Sequence, residues 1–155
     1  MVTTEGWRPA ASRSTLAMRA EMLAALRVFF AARNVQEQQT PILAPTTVTD
    51  SNIDSICVGD RFLQTSPEYH MKRLLAAYST DSFQVSKAFR GSETGTRHLP
   101  EFTLVEWYRI GFDWEQLATE VCELINYLAA GYRVLEQPNF ITYRQAFLNA
   151  IVCDP

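Results

Sequence analysis

The alternation of apolar and polar residues between Phe83 and Tyr108 predicts two strands joined by a polar loop. Side chains along a strand point to opposite faces with a period of two. The first strand therefore presents on one face Gln84, Ser86, Ala88 and Arg90. The second presents on one face Phe102, Leu104, Glu106 and Tyr108. An arginine at the end of one strand and a glutamate inside the other are unusual on elements that otherwise look buried.

Before this hairpin, the spacing of apolar residues predicts a helix over residues 16–33, with Thr15 as its N-cap and Asn34 in the left-handed position after it. A short strand over residues 35–39 ends at Pro41, and another covers residues 61–65. Residues 44–60 are predicted to form a loop. Ser66 is predicted to cap a second helix that begins at Pro67 and runs to about residue 77. Its buried side chains are expected to include Tyr69, Leu74 and Leu75.

After the hairpin, Asp113 and Gln116 have the spacing of a capping box. The helix they open ends at Gly131, and its apolar stripe is Trp114, Leu117, Val121, Leu124, Ile125 and Leu128. Thr142 is predicted to cap a last helix that ends near residue 150. The elements indicate an α+β fold, an antiparallel sheet flanked by helices. We divide the chain into a lead-in segment, residues 1–14, and one domain, residues 15–155.

Composition narrows the function only slightly. The net charge of −3 gives no sign of the basic surface expected of a nucleic-acid-binding domain. No apolar run of about 18 residues predicts a membrane span. Three scattered cysteines form no zinc-binding pattern, and reduced thiols favour a cytoplasmic location. Asp50 and Asp54 are isolated carboxylates in a polar loop, so no metal site is predicted from them.

The hairpin carries the chemistry that stands out. Guanidinium groups suit phosphate oxygens, so Arg90, Arg97 and His98 are placed to converge on a polyphosphate. A base can stack on Phe102, and the carboxylate of Glu106 can accept from an ammonium group. The alternative is a surface hairpin with charged residues in its turn, and residue pattern alone does not exclude it.

Three motifs carry a resemblance to a known family. They are FRxxE followed by RHxPEFTxxEWY in the hairpin, TSPEYHMKRLL from Thr65, and Thr40-Pro41 with Val48-Thr49-Asp50. They resemble class II aminoacyl-tRNA synthetases of the lysine-specific branch, and in particular the synthetase-like ligases that attach β-lysine to elongation factor P. The resemblance extends from Trp7 to Pro155. It implies that residues around Pro41 form the interface of a homodimer.

The resemblance also implies roles for residues that match the motifs. Arg90 would be the catalytic arginine on the α-phosphate of ATP, and the other ATP contacts would be Glu93, His98 and Phe102. The pocket for a lysine-like amino acid would be formed by Ser66, Pro67, Glu68, Glu106 and Tyr108. ATP and Mg²⁺ are the implied cofactors. The implied reaction is in-line attack of a carboxylate on the α-phosphorus, assisted by positioning and charge neutralisation.

The sequence departs from the family pattern in three places. Ser92 stands where the family has an acid two residues after the arginine, and Glu93 follows it. Leu99 replaces an asparagine that would contact ATP. The Gly-rich third motif, with its arginine and the acidic Mg²⁺ ligands, does not occur in these residues. We therefore expect an N-terminal portion of the fold that by itself binds ATP weakly and has little activity.

The sequence leaves three functions open. The first is an ATP-dependent ligase that transfers a lysine-like amino acid to a lysine of elongation factor P. The second is the catalytic fragment of a lysyl-tRNA synthetase, and the third is an inactive remnant that dimerises. The protein acceptor is favoured over tRNA because only about 14 residues precede the first helix, where related lysyl-tRNA synthetases carry an anticodon-binding OB domain.

Overall fold

The computed structural model describes residues 7–92, 95–136 and 138–151. Its helices are α1 (Arg13–Ala31), α2 (Glu68–Tyr78), α3 (Trp114–Ala129) and α4 (Tyr143–Ile151). Its strands are β1 (Gln36–Glu37), β2 (Leu43–Ala44), β3 (Cys57–Val58), β4 (Arg61–Leu63), β5 (Ser82–Phe89) and β6 (Glu101–Tyr108). The predicted α+β fold is confirmed.

The central hairpin forms as predicted. Strands β5 and β6 pair antiparallel over their full length, from Ser82 opposite Tyr108 to Phe89 opposite Glu101. Strand β1 extends this sheet on the other side of β5, and that pair is parallel. A second small sheet has the order β2-β4-β3. Its middle strand, β4, confirms the strand predicted to begin at residue 61, but β2 and β3 were not predicted. Those two strands have two residues each, too few for an alternating pattern to be recognised.

The core lies on one face of the central sheet, beneath α1 and α3. Its buried members are Leu26, Phe29, Phe30, Val35, Phe83 and Leu124, and Val85, Val105, Trp107 and Leu128 pack against them. Phe30 has no exposed surface and stacks on Phe83, with ring centroids 4.4 Å apart. Burying a phenylalanine contributes about 1.5–3 kcal/mol, so this contact anchors α1 to the strand that carries Arg90.

The predicted helix boundaries are correct to within a few residues, with corrections at two N-termini. Helix α1 begins at Arg13, and Ser12 rather than Thr15 is its N-cap, because the Ser12 hydroxyl accepts the Thr15 N–H. Pro67 is the N-cap of α2, and Ser66 lies before it. Asn34 adopts the predicted left-handed conformation, with φ of 57°.

The capping predictions for the last two helices are confirmed. Asp113 and Gln116 form a complete capping box on α3, and the Thr142 hydroxyl accepts the Gln145 N–H at the start of α4. The two predicted apolar stripes were partly wrong. In α2 the buried side chain is Met71 while Tyr69 is exposed, and in α3 Leu124 is buried while Trp114 is 70% exposed.

Candidate active site

The register of the hairpin places the two predicted polar faces on the same side of the sheet. Gln84 lies opposite Glu106, and Ala88 lies opposite Phe102. Residues directly opposite in an antiparallel pair share a face. The helices α1 and α3 cover the other face, so the face with Glu106 and Phe102 is separate from the core.

Arg90 and Phe102 lie together at the loop end of this face. The Arg90 guanidinium carbon is 5.1 Å from the centre of the Phe102 ring, within the range of a cation–π contact. The Arg90 backbone N–H donates to the Pro100 carbonyl at 2.9 Å, which closes the hairpin beside this pair. Its Nε donates to the Thr65 carbonyl at 3.4 Å. The charged group and the flat ring therefore border one surface, as the nucleotide hypothesis requires.

A cluster of hydrogen bonds surrounds the carboxylate of Glu106. The Ser66 hydroxyl donates to Oε2 and the Tyr108 hydroxyl donates to Oε1, each at 2.7 Å. Burial raises the pKa of Tyr108, and the hydrogen bond to Glu106 and the negative charges of Glu106 and Glu68 raise it further. Tyr108 therefore stays a neutral donor, and Glu106 is presented as an oriented acceptor.

Glu68 provides a second carboxylate beside this cluster. Its backbone N–H donates to the Ser66 hydroxyl at 3.1 Å, so Ser66 links the start of α2 to Glu106. The Glu68 side chain accepts from the Lys72 ammonium one turn along the helix. The hydrogen bond to Glu68 raises the pKa of Lys72. The Glu68 carboxylate is therefore already paired with an ammonium group of its own helix.

The segment before α2 is held against the end of β5. The Gln64 carbonyl accepts the Phe89 N–H at 2.9 Å, and the Gln64 side chain donates to the Lys87 carbonyl at 2.7 Å. Pro67 has a fully buried side chain in this segment. Together these contacts bring Ser66 within reach of Glu106, although 40 residues separate them in the chain.

The remaining predicted residues are not in this cluster. Arg97 and His98 are exposed in the loop, and the His98 backbone exchanges hydrogen bonds with Gly95. Leu99 is 68% exposed. Glu93 lies outside the described residues. Of the three basic side chains predicted to converge on a polyphosphate, only Arg90 lies beside Phe102 on the site face.

The start of the hairpin loop has a support that sequence reasoning missed. The Gly91 N–H donates to the Asp54 carbonyl at 2.8 Å, and the Ser92 hydroxyl donates to the Asp54 carboxylate. The departure from the family pattern at Ser92 thus has a structural partner. Asp50, the other carboxylate of this segment, accepts the Asn52 N–H at 2.9 Å.

Two buried polar residues near the site were also missed. The Gln84 side chain is on the site face, 3% exposed, and accepts from the Thr40 hydroxyl at 3.0 Å. Glu120 of α3 is 4% exposed and accepts from the Trp107 indole N–H at 3.0 Å. In the sequence, Gln84 and Glu120 stand out only as polar residues among apolar neighbours. That pattern does not identify the residues with which they form hydrogen bonds.

A cavity of about 90 Å³ adjoins Ser66. Its lining residues are Ala44, Thr46, Thr47, Val48, Gln64, Ser66, Tyr69, His70 and Arg73. Pockets for drug-sized ligands are typically about 300–1,000 Å³. This cavity is therefore too small to enclose a ligand of that size.

Neither a metal site nor a membrane span is found in the described ranges. Across residues 7–92, 95–136 and 138–151, no three His, Cys, Asp or Glu side chains are grouped so that they could hold a metal ion. None of the four helices in these ranges has both the length and the apolar character that crossing a membrane requires.

The fold resembles part of a class II aminoacyl-tRNA synthetase. Asparaginyl-tRNA synthetase from Pyrococcus horikoshii, in a crystal structure with asparaginyl-adenylate, superposes with a TM-score of 0.65 over 74% of this chain and 27% of its own. The sequence identity is 19%, so this likeness concerns the fold alone. The family model for class II tRNA synthetases (D, K and N) matches residues 6–149, and the chain belongs to that family.

Curated relatives narrow the comparison further. The elongation factor P–(R)-β-lysine ligase of Vibrio cholerae is 44% identical over 98% of this chain and 49% of its own length. The ligase of the same name from Pectobacterium carotovorum is 41% identical over 100% of this chain and 50% of its own length. The chain thus spans about half the length of the curated relatives it matches.

Proposed function

We propose that this chain forms the amino-acid-binding and ATP-binding part of a ligase that activates a lysine-like amino acid and transfers it to a lysine of elongation factor P. The names of the 41–44% identical relatives support this substrate and acceptor. The family match supports activation through an adenylate. We place the reaction in the cytoplasm, consistent with the free thiols of Cys57 and Cys122.

The observation that carries the proposal is the pair of carboxylates joined by Ser66. A lysine-like amino acid has two ammonium groups, and each needs a carboxylate or an equivalent acceptor when it leaves water. Glu106 is oriented by two donors, and Glu68 already accepts an ammonium group from Lys72. This arrangement selects a dicationic substrate over one with a neutral side chain.

Arg90 and Phe102 would serve the nucleotide. The substrate carboxylate attacks the α-phosphorus of ATP, pyrophosphate leaves, and the adenylate forms. Arg90 is the catalytic residue in this proposal, because it neutralises charge on the α-phosphate as the bond forms. Phe102 stacks the adenine, and its 5.1 Å contact with Arg90 fixes the base relative to the phosphate. Glu93 and His98 are assigned to the adenine and the outer phosphates.

The test is a transfer assay with the protein expressed from the full reading frame that contains these residues. Labelled β-lysine and ATP are supplied with elongation factor P or with lysine tRNA. We expect ATP-dependent label on elongation factor P and none on its variant lacking the acceptor lysine. Label on tRNA alone would reassign the chain to the lysyl-tRNA synthetases, and absence of adenylate formation would contradict the proposal.

A pair of matched variants tests the amino-acid pocket within that assay. Glu106→Gln keeps the shape of the side chain and removes its charge. Glu101→Gln makes the same change at the start of the same strand, where Glu101 is exposed and pairs with Lys87 at 2.8 Å. We expect Glu106→Gln to raise the KM for the amino acid about tenfold or more, and Glu101→Gln to leave it unchanged. Equal effects would remove Glu106 from the pocket.

The proposal includes a homodimer formed around Pro41. Ile42 and Leu43, which follow it, are each 40% exposed, and Val28 on α1 is 58% exposed. These apolar side chains are available to a second copy of the chain. Sedimentation equilibrium of the wild-type protein and of an Ile42→Asp variant tests this, since a charge at a buried interface weakens it. Sedimentation of the wild type as a monomer at micromolar concentration would contradict it.

A further inference from the structure

Glu120 is a buried carboxylate that the proposed reaction does not use. It lies in α3, on the sheet face opposite Glu106 and Tyr108. Its Oε2 accepts from the Trp107 indole at 3.0 Å, and its Oε1 is 3.3 Å from the Nε of Arg109 and 3.9 Å from the Nε of Arg33. One carboxylate therefore accepts a hydrogen bond from β6 and forms ion pairs with the residue after β6 and with the turn that follows α1.

These contacts fix the end of β6 on both sides of one residue. Trp107 and Arg109 are the two chain neighbours of Tyr108, and both reach Glu120. Arg109 also pairs with Asp81 at 2.9 Å, and Asp81 accepts the Ile110 N–H at 2.6 Å. Alternation along the strand then directs Tyr108 to the opposite face, toward Glu106.

Burying the Glu120 carboxylate carries a desolvation cost. A buried ion pair contributes little net stability relative to well-packed apolar residues, because both charges lose their water. What it does provide is a defined geometry. A small rotation of the strand end would move the Tyr108 hydroxyl away from Glu106, which it contacts at 2.7 Å.

We propose that Glu120 is a positioning residue: by holding both chain neighbours of Tyr108, it keeps the Tyr108 hydroxyl on Glu106 and so sets the affinity for the amino-acid substrate. This inference rests on the proposed function for its effect on substrate. The geometric half, that Glu120 determines where Tyr108 lies, is independent of any substrate. A purely structural role for Glu120 would change stability and leave the Tyr108–Glu106 contact intact.

The experiment compares Glu120→Gln with Glu123→Gln in the full-length protein. Glu123 is on the same helix and pairs with Arg33 at 3.0 Å, but its side chain is 52% exposed. The first readout is the titration of Tyr108, followed by carbon NMR of the tyrosine rings and assigned with Tyr108→Phe. We expect Glu120→Gln to lower the pKa of Tyr108 toward the ordinary value of about 10, and Glu123→Gln to leave it raised.

The second readout is steady-state kinetics. We expect Glu120→Gln to raise the KM for β-lysine about tenfold and to leave the KM for ATP unchanged. Trp107→Phe removes only the indole donor and keeps every charge. A lowered Tyr108 pKa in that variant would therefore come from movement of Tyr108 and not from the loss of the Glu120 charge. It also serves if Glu120→Gln fails to fold.

An unchanged Tyr108 titration in folded Glu120→Gln, or in Trp107→Phe where the first variant does not fold, would overturn the inference. So would an unchanged KM for β-lysine. If the wild-type protein does not bind β-lysine at all, the proposed function fails, and the titration still decides whether Glu120 positions Tyr108.

Discussion

Replacing Ser66 with alanine tests whether this hydroxyl joins α2 to the carboxylate cluster. The Ser66 hydroxyl accepts the Glu68 N–H at 3.1 Å and donates to Glu106 at 2.7 Å. Ser66 precedes the N-cap Pro67, but its bond to the Glu68 N–H satisfies a donor at the helix start as an N-cap would, and losing such a bond costs about 1 kcal/mol. Losing a hydrogen bond to a charged group costs about 1.5–3 kcal/mol, and half-burial of this site puts the loss at the low end. We expect Ser66→Ala to lower the free energy of unfolding by about 2.5 kcal/mol.

The chain contains a matched control at Ser12. Its hydroxyl accepts the Thr15 N–H at the same 3.1 Å, at the exposed start of α1, and it contacts no carboxylate among the described residues. We expect Ser12→Ala to cost about 1 kcal/mol, so the difference of about 1.5 kcal/mol isolates the bond to Glu106.

Urea denaturation followed by circular dichroism measures both variants. With a slope of about 1.5 kcal/mol per molar urea, the two midpoints should differ by about 1 M. The extra cost should also shrink when Ser66→Ala is made in a Glu106→Gln background, because the amide keeps an acceptor oxygen but carries no charge. Equal costs for Ser66→Ala and Ser12→Ala, or full additivity with Glu106→Gln, would refute the reasoning.

Three other predictions follow from the same site. The pKa of Tyr108 is raised in the folded state, so its contribution to stability is present below the unfolded pKa of about 10 and is lost as pH rises toward the folded pKa. Tyr108→Phe should therefore reduce the fall of the urea midpoint at alkaline pH. An unchanged pH profile would contradict this. Phe102→Leu should weaken ATP binding measured by calorimetry about tenfold, since base stacking contributes about 1–3 kcal/mol, and equal affinity would exclude stacking. Lys72→Met should tighten binding of β-lysine less than about fivefold, because solvent screens the exposed Lys72–Glu68 pair, and weaker binding would assign Lys72 a positive role.

The sequence predicts the hairpin well because its information is local. Alternation placed Arg90 and Phe102 on definite strand faces, and one register then brought those faces together. The caps at Asp113 and Thr142 were also local, and both are confirmed. Each of these features depends on residues that are close in sequence, or on a regular period.

The rest of the site depends on contacts between distant segments. The residue pattern around Ser66 does not indicate that its hydroxyl reaches Glu106, 40 residues away, and only the family resemblance grouped the two in one pocket. The same holds for Asp54 beneath Ser92 and for Glu120 beneath Trp107. The apolar-stripe prediction failed at Trp114, which is 70% exposed. Helix periodicity identifies the side of α3 that packs on the core, but it does not show whether the core reaches the first residue of the helix.

The backbone bond that closes the hairpin has a consequence for how this part of the protein can vary. The Arg90 N–H meets the Pro100 carbonyl at 2.9 Å, and the ladder continues from Phe89 opposite Glu101. The spacing of guanidinium and phenyl ring is thus set by paired backbone, whatever the composition of residues 91–99. Insertions at residues 95–97, which are exposed, carry little energetic cost because lengthening a surface loop is inexpensive, whereas Gly91 and Ser92 are bonded to Asp54. Inserting or deleting one residue within β5 or β6 would instead move the following side chains to the opposite face of the sheet and would disrupt the site.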